Sequence, residues 1–166
     1  MIELLLSRFA FQLRYLHELM AEIPDDRMAD QPAPGMNHPA WILGHLACSA
    51  EFVPALAGLE KRLPAAWSDL FDPSSRPLAD RSVYPLKADL LRALDETHAR
   101  AAEVARGFTP EQFAAEFPME PFRFIMPTVG DAVVHILTTH EATHSGQLSA
   151  WRRSAGFGPA KFMSFV

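Results

Sequence analysis

Apolar side chains recur at intervals of three and four residues along four long stretches of the chain. This spacing places them on one face of an α-helix, which can then be buried against other helices. The first stretch is predicted to form a helix over roughly residues 2 to 23 and to end before Pro24, because proline interrupts the helical hydrogen bonds. Its inward positions are Leu6, Phe9, Leu13, Leu16, Met20 and Ile23.

The second stretch is predicted to begin at Asn37, because asparagine is a favourable N-cap and Pro39 is tolerated in the first turn. A histidine lies on its otherwise largely apolar face, whose members are Trp41, Ile42, His45, Ser49 and Phe52. From about residue 58 to about residue 84, prolines among Ser, Asp and Arg residues predict a long irregular connection. Such a connection is in a position to cover a pocket.

Two further stretches complete the pattern. The third helix is expected to end at Gly107, and its inward positions are Leu86, Leu90, Leu94, Thr97, Ala101 and Val104. A short helix capped by Thr109 should follow. The fourth helix is predicted to run from the cap Thr128 to about residue 154, with Gly156 as its stop. Its inward positions are Val133, Ile136, Leu137, His140, His144, Leu148 and Trp151. Four such helices predict an all-α protein, an antiparallel four-helix bundle with a long connection between helices two and three.

Composition and charge exclude several classes of protein. A chain of 166 residues with 49% hydrophobic and 21% charged residues suits one folded domain over residues 1–166. A net charge of −5 with scattered basic residues argues against nucleic acid as a partner. No apolar run is long enough for a membrane span, and the N-terminal segment does not resemble a secretory signal. The single cysteine, Cys48, cannot form an intramolecular disulfide, so we expect a cytoplasmic protein.

His140, Glu141 and His144 form the pattern H-E-x-x-H. Residues four apart share a face of a helix, so both imidazoles can bind one metal ion. In zinc proteases the glutamate of this pattern is the general base. A protease also needs a third ligand downstream, but residues 145–166 contain no His, Asp or Glu, and Gln147 and Ala150 replace the glycine and histidine of the longer protease pattern. Protease activity is therefore not expected.

His45 is the candidate third ligand, because packing of helices two and four would place it opposite His140 and His144. Three imidazoles leave one coordination position open, as in catalytic zinc sites. The alternative is a set of core histidines that bond to backbone or water. His38 lies about 10 Å from His45 along the helix. We therefore expect it at the mouth of the pocket, where it contacts a bound cofactor or cosubstrate, and not as a ligand of the same ion.

The segments WILGHLA at residues 41–47 and HEATHSGQL at residues 140–148 together resemble the DinB/YfiT-like superfamily, named for DNA-damage-inducible bacterial proteins. The resemblance covers nearly the full chain. It implies an antiparallel four-helix bundle whose metal is held by His45, His140 and His144. It also implies an activity similar to that of metal-dependent thiol transferases and isomerases, which use low-molecular-weight thiols such as mycothiol or bacillithiol, and it implies a homodimer.

We therefore expect a divalent metal, zinc first and nickel or iron next. A metal-bound thiolate or water would act on a small-molecule substrate in thiol transfer, hydrolysis or isomerisation. Glu141 is the candidate catalytic residue, either as a proton acceptor or as a group that orients a ligand histidine; its other interpretation is a solvated helix residue. Gln147 is expected to bind the substrate or thiol. The alternative function is a non-catalytic, metal-stabilised module for stress response or small-ligand binding.

The remaining candidates receive structural interpretations. Cys48 is interpreted as a small core residue and not as a nucleophile. His17 is expected to have a structural role, and His98 and His135 have no predicted partner. Aromatic residues near predicted helix ends are expected to line a pocket or form a dimer contact, namely Phe122, Phe124, Phe162 and Phe165.

Overall fold

All four stretches with helical spacing form helices in the computed structural model, which describes residues 1–161. Phe162 and Phe165 lie outside the described residues. The helices are α1 (Ile2–Met20), α2 (Pro39–Ala50), α3 (Phe52–Leu56), α4 (Ala65–Leu70), α5 (Lys87–Gly107), α6 (Pro110–Ala114), α7 (Val129–Val134) and α8 (Glu141–Ser154). The protein is all-helical over these residues, as predicted. No helix among them is both long and apolar enough to cross a membrane.

The start of α2 differs from the prediction. Its N-cap is His38, whose Nδ1 accepts a hydrogen bond from the backbone N–H of Trp41 at 3.2 Å. His38 directly precedes Pro39 and has the extended backbone that an N-cap requires. Asn37 lies one residue too early, and its side-chain amide instead donates to Gln147 at 3.1 Å. The prediction failed because a histidine with a suitably placed ring nitrogen can cap a helix as asparagine does.

The connection between α2 and α5 is more helical than predicted. Helix α3 follows α2 almost directly, α4 lies within the segment that was predicted to be irregular, and residues 81–83 form a 3₁₀ turn. Phe71, at the end of α4, is buried against α2. It packs beside Gly44, where a Cβ atom would overlap the phenylalanine ring. Glycine at this position therefore lets the connection approach α2 next to His45.

The fourth helix begins as predicted but is not regular throughout. Thr128 and Asp131 form a reciprocal capping box at its start, and Gly156, with φ of 86°, follows its end. Between α7 and α8 the chain forms a π-helix over His135–His140. A π-helix adds one residue to each hydrogen-bonded turn and changes which side chains are stacked. The short helix capped by Thr109 is also present as α6.

The buried apolar residues form two clusters separated by polar positions. One cluster includes Leu16, Leu43, Leu94 and Leu148; the other includes Phe9, Val53, Ala101 and Leu137. On three of the helices the positions between the clusters are polar and buried or half-buried. These positions, which we call the polar layer, are Gln12 on α1, Thr97 and His98 on α5, and His140, Glu141, His144 and Ser145 on the fourth helix. Such a layer is stable only if its polar atoms find partners.

Candidate metal centre

His45, His140 and His144 come together where α2 packs on the fourth helix. One ring nitrogen of each lies within 4.8 Å of the others, and Nε2 of His45 is 3.0 Å from Nε2 of His140. Nitrogens bound to one tetrahedral ion at about 2.1 Å lie about 3.4 Å apart. The cluster therefore fits a divalent metal after small side-chain rotations. The three residues are those that the sequence predicted as ligands.

Two of the imidazoles are held in the form that a metal requires. Nδ1 of His45 lies 2.8 Å from the carbonyl oxygen of Phe71, which can only accept, so this nitrogen carries the proton and leaves a lone pair on Nε2. Nδ1 of His144 lies 2.9 Å from Oε1 of Gln147, and that oxygen also accepts from Asn37. Nδ1 of His140 is buried without a hydrogen-bond partner among residues 1–161. Protein acceptors thus orient two of the three candidate ligands.

Burial keeps the three imidazoles neutral. Desolvation, followed by the proximity of His144 and His45, lowers the pKa of His140 to about 3. Desolvation also lowers the pKa of His144 to about 4 and shifts the pKa of His45 downward. Neutral nitrogens at physiological pH are the form that coordinates metal ions. The site is therefore ready to bind a cation without first releasing protons.

An aromatic ring restrains His45 from the side. The indole of Trp41 stacks on the imidazole with ring centroids 4.6 Å apart and an interplanar angle of 8°. The indole is itself held by a hydrogen bond from Nε1 to Oγ of Ser75, at 2.8 Å. His45 therefore has its position set by stacking and its proton position set by Phe71.

A cavity of about 340 Å³ lies beside His45 and His140. Segments far apart in the sequence form its wall, which is mostly apolar. The cavity lies at the lower end of the size range of small-molecule sites. The wall includes Phe52, Lys61, Asp72, Phe117, Phe122 and His135. An ion at the histidine cluster would therefore have space beside it for a small molecule.

His135 is a wall residue that sequence analysis did not assign. In an α-helix, residues five apart point in different directions, so the helical spacing separates His135 from His140. The π-helix brings the two rings to a centroid distance of 5.6 Å. Nothing in the spacing of apolar residues indicated this irregular turn.

Glu141 lies in the core, away from the wall of the cavity. Its side chain is 2% exposed, and Oε1 is 3.1 Å from Nε2 of His98 on α5, within ion-pair distance although poorly aligned for a hydrogen bond. Nδ1 of His98 lies 2.9 Å from the carbonyl oxygen of Leu94 and must carry a proton. The ring of Phe9 stacks on His98 at 4.1 Å. Glu141 is therefore not a solvated residue, and its catalytic role stays a prediction.

The other predicted contacts have different positions. His38 is fully buried, its Nε2 lies 3.0 Å from the carbonyl oxygen of Leu78, and both ring nitrogens are thus engaged by the backbone. Gln147 is exposed and bonded to His144. The predicted contacts of both residues with a cofactor stay predictions.

Cys48 and His17 are both half-buried. Cys48 lines the cavity, and burial raises the pKa of its thiol to about 11, so the thiol stays protonated. His17 is not one of the three clustered histidines and pairs with Asp95 at 2.6 Å. Neither residue joins the three candidate ligands.

A family model described as the DinB superfamily matches residues 8–148, which include all three histidines of the cluster. No curated protein matches the chain.

Proposed function

Since the chain belongs to the DinB superfamily, we propose that it is a metal-dependent enzyme that holds a divalent ion through Nε2 of His45, His140 and His144. Zinc is the first candidate, and nickel or iron also suits three imidazoles. The main support is that His45 and His144 each donate Nδ1–H to a protein oxygen, which leaves their Nε2 lone pairs available. Three protein ligands leave a coordination position for a substrate.

Thiol transfer is the favoured reaction, with hydrolysis or isomerisation as related possibilities on a small-molecule substrate. A divalent ion, when bound, lowers the pKa of a water or thiol ligand and so makes a nucleophile available near neutral pH. The protein's own thiol does not fill this role, because burial raises the pKa of Cys48 to about 11. A low-molecular-weight thiol cosubstrate would therefore be needed, and the cavity beside His45 and His140 would bind it together with the electrophile.

Glu141 is proposed to act by orientation. Its carboxyl group is buried, lies 3.1 Å from Nε2 of His98, and does not line the cavity. It is also adjacent to His140 in the sequence. By tying this turn of the fourth helix to α5, Glu141 would hold the backbone from which His140 extends, which is the orienting role of the two that the sequence suggested.

A non-catalytic module is the second candidate function. His45 and His140 are 95 residues apart in the chain, so an ion bound between them would link α2 to the fourth helix. Metal binding would then contribute directly to folding stability. In such a module the cavity would capture a small ligand without converting it.

Metal content tests the site itself. Purified protein should contain close to one divalent ion per chain by elemental analysis, and His140→Ala should lose it. The matched control is His17→Ala, which removes a histidine that pairs with Asp95 outside the cluster. An unchanged metal content in His140→Ala would eliminate the proposed site.

Turnover separates the enzyme from the module. The zinc-loaded protein would be assayed for conjugation of a panel of low-molecular-weight thiols to electrophiles, with His45→Ala as the inactive control. Product formation that depends on His45 supports the enzyme. Tight binding of one thiol at one equivalent, without product for any thiol, would instead support the module.

The proposal also covers the fold, the oligomeric state, the substrate class and the cellular location. Contacts of α2 with α5 and α8, and of α1 with α5 and α8, support an antiparallel four-helix bundle in a single domain. The homodimer is supported by exposed apolar side chains at Met119, Phe122, Phe124 and Ile125. The net charge of −5 favours a small-molecule substrate over nucleic acid, and the single cysteine favours a cytoplasmic protein.

A further inference from the structure

The cavity beside the histidine cluster has one lysine, Lys61, in its wall. The charge of this lysine has no ion-pair partner among the described residues. Lys61 makes no hydrogen bond or ion pair with residues 1–161. The other two lysines of the chain are engaged: Lys87 donates to two backbone carbonyl oxygens, and Lys161 pairs with Glu22. A cation at the edge of an apolar cavity is a partner for an anionic group on a ligand.

The rest of the wall is mostly apolar. Rings of Phe52, Phe117 and Phe122 contribute to it, together with the flexible side chains of Met119 and Met126. Aromatic and methionine side chains bind flat apolar groups well. The volume of about 340 Å³ limits the ligand to a small molecule.

The single carboxylate of the wall, Asp72, does not compete for the same role. Its Oδ1 already accepts two hydrogen bonds, from the backbone N–H and the hydroxyl of Ser74. Asp72 would repel an anionic ligand group, which leaves Lys61 as the partner for such a group. The wall therefore has a positive charge without an ion-pair partner among the described residues, which favours an anionic ligand group over an ammonium group.

We propose that the thiol cosubstrate is a small aromatic acid, with a metal-binding thiol at one end and an anionic group at the other that pairs with Lys61. This inference rests on the proposed metal-dependent function, because the thiol end is defined by the histidine cluster. The apolar body lies against the phenylalanine rings between the two charged ends.

The test compares three thiols of the same size on the zinc-loaded full-length protein by isothermal titration calorimetry. They are 4-mercaptophenylacetate, its uncharged amide, and 4-mercaptophenethylamine. The acid should bind about tenfold more tightly than the amide, because a charged hydrogen-bonded pair is replaced by a neutral contact. The amine should bind most weakly of the three.

Substitutions of Lys61 test whether this side chain causes the tighter binding of the acid. Lys61→Met should remove the difference between acid and amide without changing the zinc content, and Lys61→Arg should keep it. Lys161→Met is the matched control, since it removes a lysine that pairs with Glu22 outside the cavity, and it should behave as the unchanged protein.

Each contrary result has a separate meaning. Equal binding of acid and amide, or a difference that survives in Lys61→Met, would overturn the inference and leave the metal site standing. Tightest binding of the amine would overturn it in favour of recognition by Asp72. Failure of the protein to retain zinc, or to bind any of the three thiols, would remove the proposed function and the inference together.

Discussion

Polar side chains on the two sides of the fourth helix have different partners, although both sides belong to the polar layer. On one side, His140 and His144 meet His45, and Nε2 of His140 is 3.0 Å from another imidazole nitrogen beside an open cavity. On the other side, Glu141 meets His98 at 3.1 Å, and Ser145 donates to Gln12 at 3.2 Å. The first side leaves nitrogen lone pairs for an external cation, whereas on the second side Glu141 and Ser145 lie beside polar side chains of α5 and α1.

This difference shows that neighbours in an H-E-x-x-H pattern need not share one chemical role. Adjacent residues on a helix point about 100° apart, so packing decides what each one meets. In this protein the histidines face α2 and the cavity, while the glutamate faces α5. A glutamate that serves as a base in zinc proteases is here an interior partner of His98.

Removal of the glutamate should have the largest effect on stability. Glu141→Ala would remove the buried carboxyl group that lies 3.1 Å from Nε2 of His98 and should lower the free energy of unfolding by about 3 kcal/mol, with or without metal. Glu141→Gln should recover most of this loss, because its amide can donate to that nitrogen. Urea unfolding measures both variants.

The control for this prediction is Glu103→Ala, which removes an exposed glutamate of α5 and should change stability little. Glu141→Gln that keeps its stability and its metal but loses all turnover would contradict the orienting role. Such a result would return Glu141 to the function of a general base, and the two sides of the helix would then share one reaction.

Loss of the hydrogen-bond acceptor for His144 should have an intermediate effect, which is confined to metal binding by the histidine cluster. Gln147→Ala removes the oxygen that holds Nδ1–H of His144 and should weaken zinc binding by about tenfold, measured by competition with a chelator. Asn37→Ala, which removes the second donor to that oxygen, should weaken it less. Both variants should unfold like the unchanged protein when free of metal, because Gln147 is exposed.

Unaltered zinc affinity in Gln147→Ala would mean that water replaces the amide as acceptor. Gln147 would then be available for the contact with substrate that its sequence position suggested, and weaker thiol binding by the variant would reveal that contact.

The smallest expected effect is the pH dependence of the stability of the metal-free protein near neutral pH. Burial lowers the pKa of His140 to about 3 and that of His144 to about 4, below the ordinary value of 6.5. Below pH 6.5 the unfolded chain therefore binds more protons than the folded protein, and the free energy of unfolding falls as the pH falls. The loss should be about 0.4 kcal/mol for each such histidine at pH 6.5 and should grow toward pH 4.

A series of urea unfolding curves between about pH 8 and about pH 5 measures this dependence. Replacement of His45, His140 and His144 by glutamine should weaken it but not abolish it. Burial also lowers the pKa of His38 to about 4, and that residue remains in the variant. An identical pH dependence in the triple variant would show that the cluster is not the source of the acid sensitivity.

Local features of the chain were predicted well. The caps at Thr128 and Thr109 and the stop at Gly156 follow from side-chain chemistry within a few residues. The start of α2 was wrong by one residue because two adjacent side chains can both cap, and only the path of the chain decides which one reaches the N–H of Trp41.

Three features of the site were not predicted. The π-helix brings His135 beside His140, and no apolar spacing indicates such a turn. The acceptor for His45 is a backbone carbonyl at Phe71, which any residue type could supply. His98 had no predicted partner, because its contact with Glu141 exists only when α5 packs on the fourth helix.

The sequence by itself determined the four stretches with helical spacing and the pair His140 and His144, because these are patterns of residues close together in the chain; the resemblance of residues 41–47 and 140–148 to a known family added His45. The tertiary structure alone decided which nitrogen of His45 and His144 carries the proton, which partner Glu141 meets, and which residues line the cavity. These properties depend on distances between atoms from segments as far apart as α2 and the fourth helix, and only packing sets those distances.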